Sequence, residues 1–272
     1  MLMIHGFAKN LLNFLIPPTC HICKLPIKEY DNPYICRICW KKIRFIDGPV
    51  CPRCGIPFKS SVTLIRSPDY LCGTCRKQKF YFTKASALGY YEGTLSEAIH
   101  IFKYEKKQSM AKYMNSLTSD SLIGKLNVML NSFQHPIPCR ETLNQVQGDR
   151  MHFDNSLIVP VPLHKKRLNE RGFNQSLLIA HHLSKSLNIP LSIDGLQRVR
   201  WTRPQIELSR EERLRNVKGA FAVRDGISFK GKKLLLIDDV YTTGATVNEC
   251  ARMLKKAGAK EINVFTIARV GG

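Results

Sequence analysis

Acidic side chains are scarce in this sequence. Only 21 Asp and Glu stand against 42 Lys and Arg in 272 residues, a formal net charge of +21. Such a deficit suits polyanionic partners: nucleic acid, an acidic membrane face or phosphate-rich small molecules. Charge alone does not choose among them. Long apolar runs are missing too. The opening stretch MLMIHGFAKNLLNFLIPP is too short for a membrane span and is interrupted by Lys9, Asn10 and Asn13. No small-residue cleavage site follows it, which argues against a secretory leader. Its Phe7, Leu11, Phe14 and Leu15 fall at helical spacing, so residues 1–19 read as an amphipathic helix. A GxxxxGK[ST] phosphate loop is also lacking, which removes the common nucleoside triphosphatase reading.

What is abundant is paired cysteine. Eight of the ten cysteines form four CxxC pairs, Cys20/Cys23, Cys36/Cys39, Cys51/Cys54 and Cys72/Cys75. Two thiolates two residues apart can face one ion from a tight knuckle, and a second knuckle completes a tetrahedral set that Zn²⁺ accepts. Twelve residues separate the first two pairs and seventeen the last two, close to zinc-ribbon spacing. Short loops close at low entropic cost, so the first pair should join the second and the third the fourth. With every position filled, both sites are structural. Thioredoxin-like context is absent around them, and iron–sulfur ligation is the lesser alternative. Gly55 and Gly73 occupy knuckle positions where a Cβ often clashes. Free thiols of this kind belong in a reducing cytoplasm.

Length favours two domains. Residues 20–80 are rich in Cys, Pro, Lys and Arg and read as a small module held by metal rather than by a core. Beyond them the texture changes. Ala85–Tyr91 reads as a strand. Leu95, Ala98, Ile99 and Phe102 give a helix, and Met110, Tyr113, Met114 and Leu117 give another reaching Leu122. Residues 124–155 show no sustained period and read as an insertion or mobile loop, with an unpaired Cys139. SLIVPVPLH is a buried strand. After a basic run comes a helix with Leu177, Ala180, Leu183 and Leu187 inward, and GKKLLLIDDV, ATVNECARMLKKAG and INVFTIARV read as strand, helix and strand. That alternation predicts an α/β fold, a parallel sheet with helices on both faces.

The strand LLLIDDV ends in two acids, and Thr242, Thr243, Gly244, Ala245 and Thr246 lead straight into a helix with Val247, Cys250, Ala251 and Leu254 inward. Ligands bind beyond the carboxyl ends of parallel strands. A helix N-terminus with threonine hydroxyls cradles one phosphate. Asp238 and Asp239 beside it would repel a second phosphate but accept hydrogen bonds from hydroxyls. A phosphate and a vicinal diol a few ångströms apart describe a ribose 5-phosphate. The plainer reading, one Asp capping the next helix, leaves the second acid unexplained.

With these residues the sequence resembles the type I phosphoribosyltransferases, and more narrowly the ComF family of ComFC-type competence proteins. The resemblance rests on the CxxC pairs, YYEG, IHIFKYEKK, VPVPLHKKRLNERGFNQS, RPQIELSREERLRNVKGAF and LLLIDDVYTTGAT. It implies a small N-terminal double zinc ribbon before a phosphoribosyltransferase-like domain over 81–272. Asp238 and Asp239 would hold the ribose hydroxyls of phosphoribosyl pyrophosphate (PRPP), and Thr242, Thr243, Gly244 and Thr246, with Ala245, its 5-phosphate. Lys165, Lys166, Arg167 and Arg171 would meet the pyrophosphate with Mg²⁺. Arg167 and Arg171 share a face only if that run is helical. The stretch Arg198–Arg213 fits either a flap or a nucleic-acid contact.

Two functions follow. One is PRPP binding in the service of DNA uptake, through single-stranded DNA or a DNA-translocating helicase. There Phe80, Tyr81 and Phe82 among Lys77, Lys79 and Lys84 are either stacking surfaces or core. The other is a working glycosyltransferase that releases pyrophosphate to a nitrogenous acceptor. No acceptor-reading residues stand out, so the sequence leaves turnover open.

Overall fold

The computed structural model describes residues 17–27, 32–58, 69–104, 108–119, 155–203 and 209–271. Four readings fall partly or wholly outside them: residues 1–16 of the amphipathic helix, the end of the second helix past 119, the insertion before 155, and 204–208 of the basic stretch.

The centre of the molecule is a four-stranded sheet. Its strands are β1 (Lys84–Tyr90), β2 (Ser156–Pro160), β5 (Lys233–Tyr241) and β6 (Glu261–Arg269), in the order β1-β6-β5-β2. All three pairings are parallel, with Leu236 opposite Val159 on one side and Val264 on the other. β5 is the strand that carries the acids. Its apolar run is continuous because both faces are covered, and period-two geometry sends alternate residues to opposite cores. Leu235 and Ile237 enter one core with Ile158, Phe265 and Ile267. Leu234 and Leu236 enter the other with Val159, Ile262 and Val264.

Helices close both faces. α3 (Gly93–Tyr104), α4 (Met110–Ser119) and α6 (Gln175–Leu187) cover the first, and α8 (Ala245–Lys256) covers the second. The inward face of α8 is Val247, Cys250, Ala251 and Leu254, as its spacing predicts. On α6 the buried residues are Gln175, Ser176, Ile179, Ala180, Leu183 and Leu187, while Leu177 is only half-buried. The expected apolar face was displaced there because a polar residue, Ser176, turns toward the site. A small antiparallel pair, β3 (Leu196–Arg198) with β4 (Phe221–Val223), and the helix α7 (Arg210–Val217) complete the second layer. Among the described residues, no helix is long and apolar enough to cross a membrane.

The cysteine-rich segment, with its short helices α1 (Arg37–Trp40) and α2 (Gly73–Lys77), shares cores with the sheet. Cys20, Ile27, Ile35, Cys39 and Ile43 pack into the α3 side. Cys51, Cys54, Cys72 and Cys75 pack with Phe80 and Phe82 into the α8 side. The chain between the two crosses the outer edge of β1. Ile46 N–H donates to the Leu88 carbonyl (3.0 Å), Tyr90 N–H to Arg44 (3.0 Å) and Ala85 N–H to Arg53 (2.8 Å). An unpaired strand edge is thereby removed. Gly89 is required there, since a Cβ would stand 2.7 Å from the Arg44 carbonyl oxygen. So the metal module leans on apolar burial as well as on thiolates.

Candidate functional site

Each knuckle pair forms one cluster. The ligand sulfurs of Cys20, Cys23, Cys36 and Cys39 all lie within 4.8 Å of one another, and those of Cys51, Cys54, Cys72 and Cys75 do likewise. Zn–S bonds of about 2.3 Å place tetrahedral sulfurs about 3.8 Å apart. The Cys23–Cys36 sulfurs are 3.8 Å apart and Cys54–Cys72 3.6 Å, so both quartets fit zinc. The two repeat one geometry: Cys36 N–H donates to Cys20 Sγ and Cys72 N–H to Cys51 Sγ, each at 3.4 Å. Burial opposes ionisation of Cys20, but the amides of Cys23, Cys36 and Ile22 outweigh it and bring the thiol down to about 6. Cys51 is brought to about 7 in the same way. Burial and neighbouring thiolates push Cys39 up to about 12 and Cys54 up to about 11. Amide donors thus ease Cys20 and Cys51 toward the thiolate, while Cys39 and Cys54 resist ionisation unless a cation offsets the cost.

Gly55 adopts φ 70° against the Ala85 carbonyl, where no Cβ fits. Gly73 does not need its freedom. It is the first residue of α2, and nothing lies within 4 Å of a Cβ there. The first knuckle places Lys24, not glycine, at φ 61°.

The second feature is a cleft of about 290 Å³ over the carboxyl end of β5. Asp238 and Asp239 line its floor, with Thr242, Gly244 and Thr246 from the following turn. Gly244 caps α8 in the left-handed region, φ 78°. Its own would-be Cβ runs into the Tyr241 hydroxyl, so glycine is required. Thr243 faces its own turn, its hydroxyl accepting from Ala245 N–H at 3.4 Å. Neither Thr243 nor Ala245 lines the cleft by side chain.

The two acids are not equivalent. Asp238 Oδ1 accepts from the Ser176 hydroxyl (3.0 Å) and from the Asp239 amide (2.9 Å). Burial and then the charge of Asp239 push its carboxyl up to about 7, against the pull of Lys103. Asp239 pairs with Lys103 Nζ at 2.9 Å, with the two side chains 12% and 15% exposed. Lys103 comes from α3, and sequence reasoning did not single it out. It entered only as part of the IHIFKYEKK stretch, with no role of its own.

The basic run folds as α5 (Lys165–Arg171), capped by His164 at its start and ended by Gly172 at φ 81°. Being helical, it puts Arg167 and Arg171 on one face, and both line the cleft. Lys165 and Lys166 are exposed and lie off the lining. Lys166 turns its ammonium over the Trp201 ring, 4.9 Å from the centroid, and Arg167 meets the same ring at 5.4 Å. Arg171 covers Tyr104 at 5.2 Å. Arg198, Trp201, Thr202 and Arg203 close the far wall, and His100 and Tyr104 the near one. These wall residues were legible only as charge or aromatics, because segments far apart in sequence bring them together. Among the described lining residues, five Lys and Arg face two carboxylates, a balance suited to an anion.

Phe80 and Phe82 are 8% and 1% exposed, with ring centroids 5.0 Å apart. They are core and offer no face to a base. Tyr81 is half-buried.

Comparison with known proteins agrees with this architecture. A double zinc ribbon domain matches residues 11–76, and a phosphoribosyl transferase domain matches 174–272. The molecule is therefore a double zinc ribbon joined to a phosphoribosyltransferase-like domain. More particularly, the chain belongs to the ComF family of competence proteins. It is 30% identical to the DNA utilization protein YhgH of Escherichia coli (strain K12) over 254 residues, 93% of this chain and 98% of that protein. It is 30% identical to Competence protein F of Haemophilus influenzae, over 86% of this chain and 90% of that one. Among solved structures, a purine phosphoribosyltransferase from Pyrococcus horikoshii Ot3 matches at 21% identity and a TM-score of 0.27, covering 44% of this chain and 73% of that one.

Proposed function

We propose that the cleft binds phosphoribosyl pyrophosphate and that the protein acts in DNA uptake. One observation carries the ligand: an acid pair at the end of a central parallel strand shares a cleft with the glycine-capped N-terminus of the next helix. Asp238 and Asp239 accept the ribose hydroxyls. The turn from Thr242 to Thr246, with Thr243 and Ala245 contributing backbone, receives the 5-phosphate at the positive end of α8. Arg167 and Arg171 face the pyrophosphate, with Lys165 and Lys166 adding charge from the outer side of α5. Magnesium would be held by the ligand's pyrophosphate and the carboxylates, and it would supply charge neutralisation. Lys103 holds Asp239 in register until a hydroxyl takes part of that carboxylate's hydrogen bonding.

The role in DNA uptake draws on the names of the relatives, a competence protein and a DNA utilization protein. It also draws on the +21 charge, which suits contact with single-stranded DNA or with a helicase that moves it. A second reading is turnover to a nitrogenous acceptor. His100, Tyr104 and Trp201 on the cleft walls favour it, since they offer a planar group a surface.

Titration calorimetry of the full chain with PRPP and magnesium tests the ligand. Saturable binding is expected, lost in the Asp238→Asn/Asp239→Asn variant while zinc stays at two per chain. Unchanged affinity in that variant overturns the reading. A steep fall of single-strand affinity with salt supports DNA contact, and pyrophosphate release with a base or amine supports turnover.

A further inference from the structure

Arg269 ends β6 and is 3% exposed. It stands in register with Tyr241 on β5 and Tyr90 on β1, so it lies at the carboxyl end of the sheet. Its Nη1 donates to the Cys54 carbonyl, and its guanidinium lies 4.6 Å from the centroid of the Tyr241 ring. Its Nε has no hydrogen-bond partner. No carboxylate among the described residues pairs with it, although a buried cation without a counterion costs several kcal/mol. The neighbouring group able to carry negative charge is the quartet of Cys51, Cys54, Cys72 and Cys75. Four thiolates around one Zn²⁺ leave a net charge of minus two.

The other face of this contact leads to the cleft. Tyr241 is 4% exposed and packs edge-on against Phe82, their centroids 6.5 Å apart. Its hydroxyl end lies beneath Gly244, where any Cβ would collide with it. Gly244 caps α8 and lines the cleft. A contiguous path of packed groups therefore runs from the second quartet through Arg269 and Tyr241 to the phosphate-binding turn. The first quartet lies on the opposite face of the sheet, in the core with α3.

We infer that the zinc–thiolate centre of Cys51, Cys54, Cys72 and Cys75 is the counterion of Arg269, and that Arg269 and Tyr241 are positioning residues coupling this metal to the cleft. Metal at the second site and phosphate-bearing ligand in the cleft then strengthen each other's binding, by linkage to the same factor. The ligand half rests on the proposed reading of the cleft, whereas the counterion half does not.

The test follows cysteine alkylation by N-ethylmaleimide, mapped by mass spectrometry in the full-length zinc-loaded protein. In Arg269→Gln the second quartet should be alkylated about tenfold faster, with the first quartet unchanged and bound zinc falling from two toward one. Arg269→Lys, which keeps the charge, should restore much of the protection. Wild-type protection of the second quartet in Arg269→Gln overturns the counterion. If that variant fails to fold, both quartets react together, and wild-type protein decides. Saturating ribose 5-phosphate should slow alkylation of the second quartet alone, and equal rates with and without it overturn the coupling. Failure of ribose 5-phosphate to bind wild-type protein would instead sink the cleft reading, leaving the alkylation of Arg269→Gln and Arg269→Lys to judge the counterion.

Discussion

Lys103 reaches across from α3 to place its ammonium 2.9 Å from the Asp239 carboxylate. Neither side chain is freely hydrated, so each charge depends on the other. Lys103→Met should destabilise the ligand-free protein by about 1–3 kcal/mol, the cost of stranding a buried carboxylate. Adding Asp239→Asn to Lys103→Met should recover part of that loss. Urea denaturation of the two single variants and the double variant checks this, and strict additivity would deny the pairing.

Asp238 invites a prediction about pH. Its folded-state carboxyl is pushed up to about 7, above the ordinary value of 3.8, by burial and by Asp239. The folded protein therefore holds a proton that the unfolded chain has already released. This contribution is favourable near pH 4 and is lost as pH rises through 7. Asp238→Asn removes the penalty, so at pH 8 the variant should melt higher than wild type. At about 1.4 kcal/mol per pKa unit the gain is at most a few kcal/mol, and the open side of the cleft reduces it. Thermal melts at pH 5 and pH 8 check it: the gap between variant and wild type should widen with pH. Ligand affinity should move oppositely, since ribose hydroxyls need an ionised acceptor.

Gly244→Ala is the sharpest local change. It asks a residue with a Cβ to hold φ 78° directly above the Tyr241 ring. The left-handed conformation alone costs about 1–2 kcal/mol. The turn should shift, and affinity for ribose 5-phosphate should fall about tenfold or more while helix content stays the same. Calorimetry and circular dichroism measure the two separately.

Much of this was legible in the sequence because it is written locally. The CxxC spacing carries the two quartets, and the apolar run from Leu234 to Ile237 carries the central strand. The glycine and threonines after Tyr241 mark the start of the next helix. Long-range facts left no such trace. Lys103 and Asp239 are joined only because α3 packs beside the end of β5. Arg167 and Arg171 needed the basic run to be a helix. The metal module's hold on β1 depends on carbonyls of Arg44 and Arg53, and backbone groups are invisible in residue identity. Phe80 and Phe82, set among lysines, left stacking surface and core both open in the sequence, and burial decides for core.

The role of the acid pair is tested most directly by comparing ribose 5-phosphate with 2-deoxyribose 5-phosphate on the wild-type protein and on Asp238→Asn/Asp239→Asn. Loss of one hydroxyl facing a buried carboxylate should weaken wild-type binding about 10- to 100-fold. The double variant should lose measurable affinity for both sugars. Equal wild-type affinity for the two would contradict the account, because the carboxylates would then not be gripping the sugar.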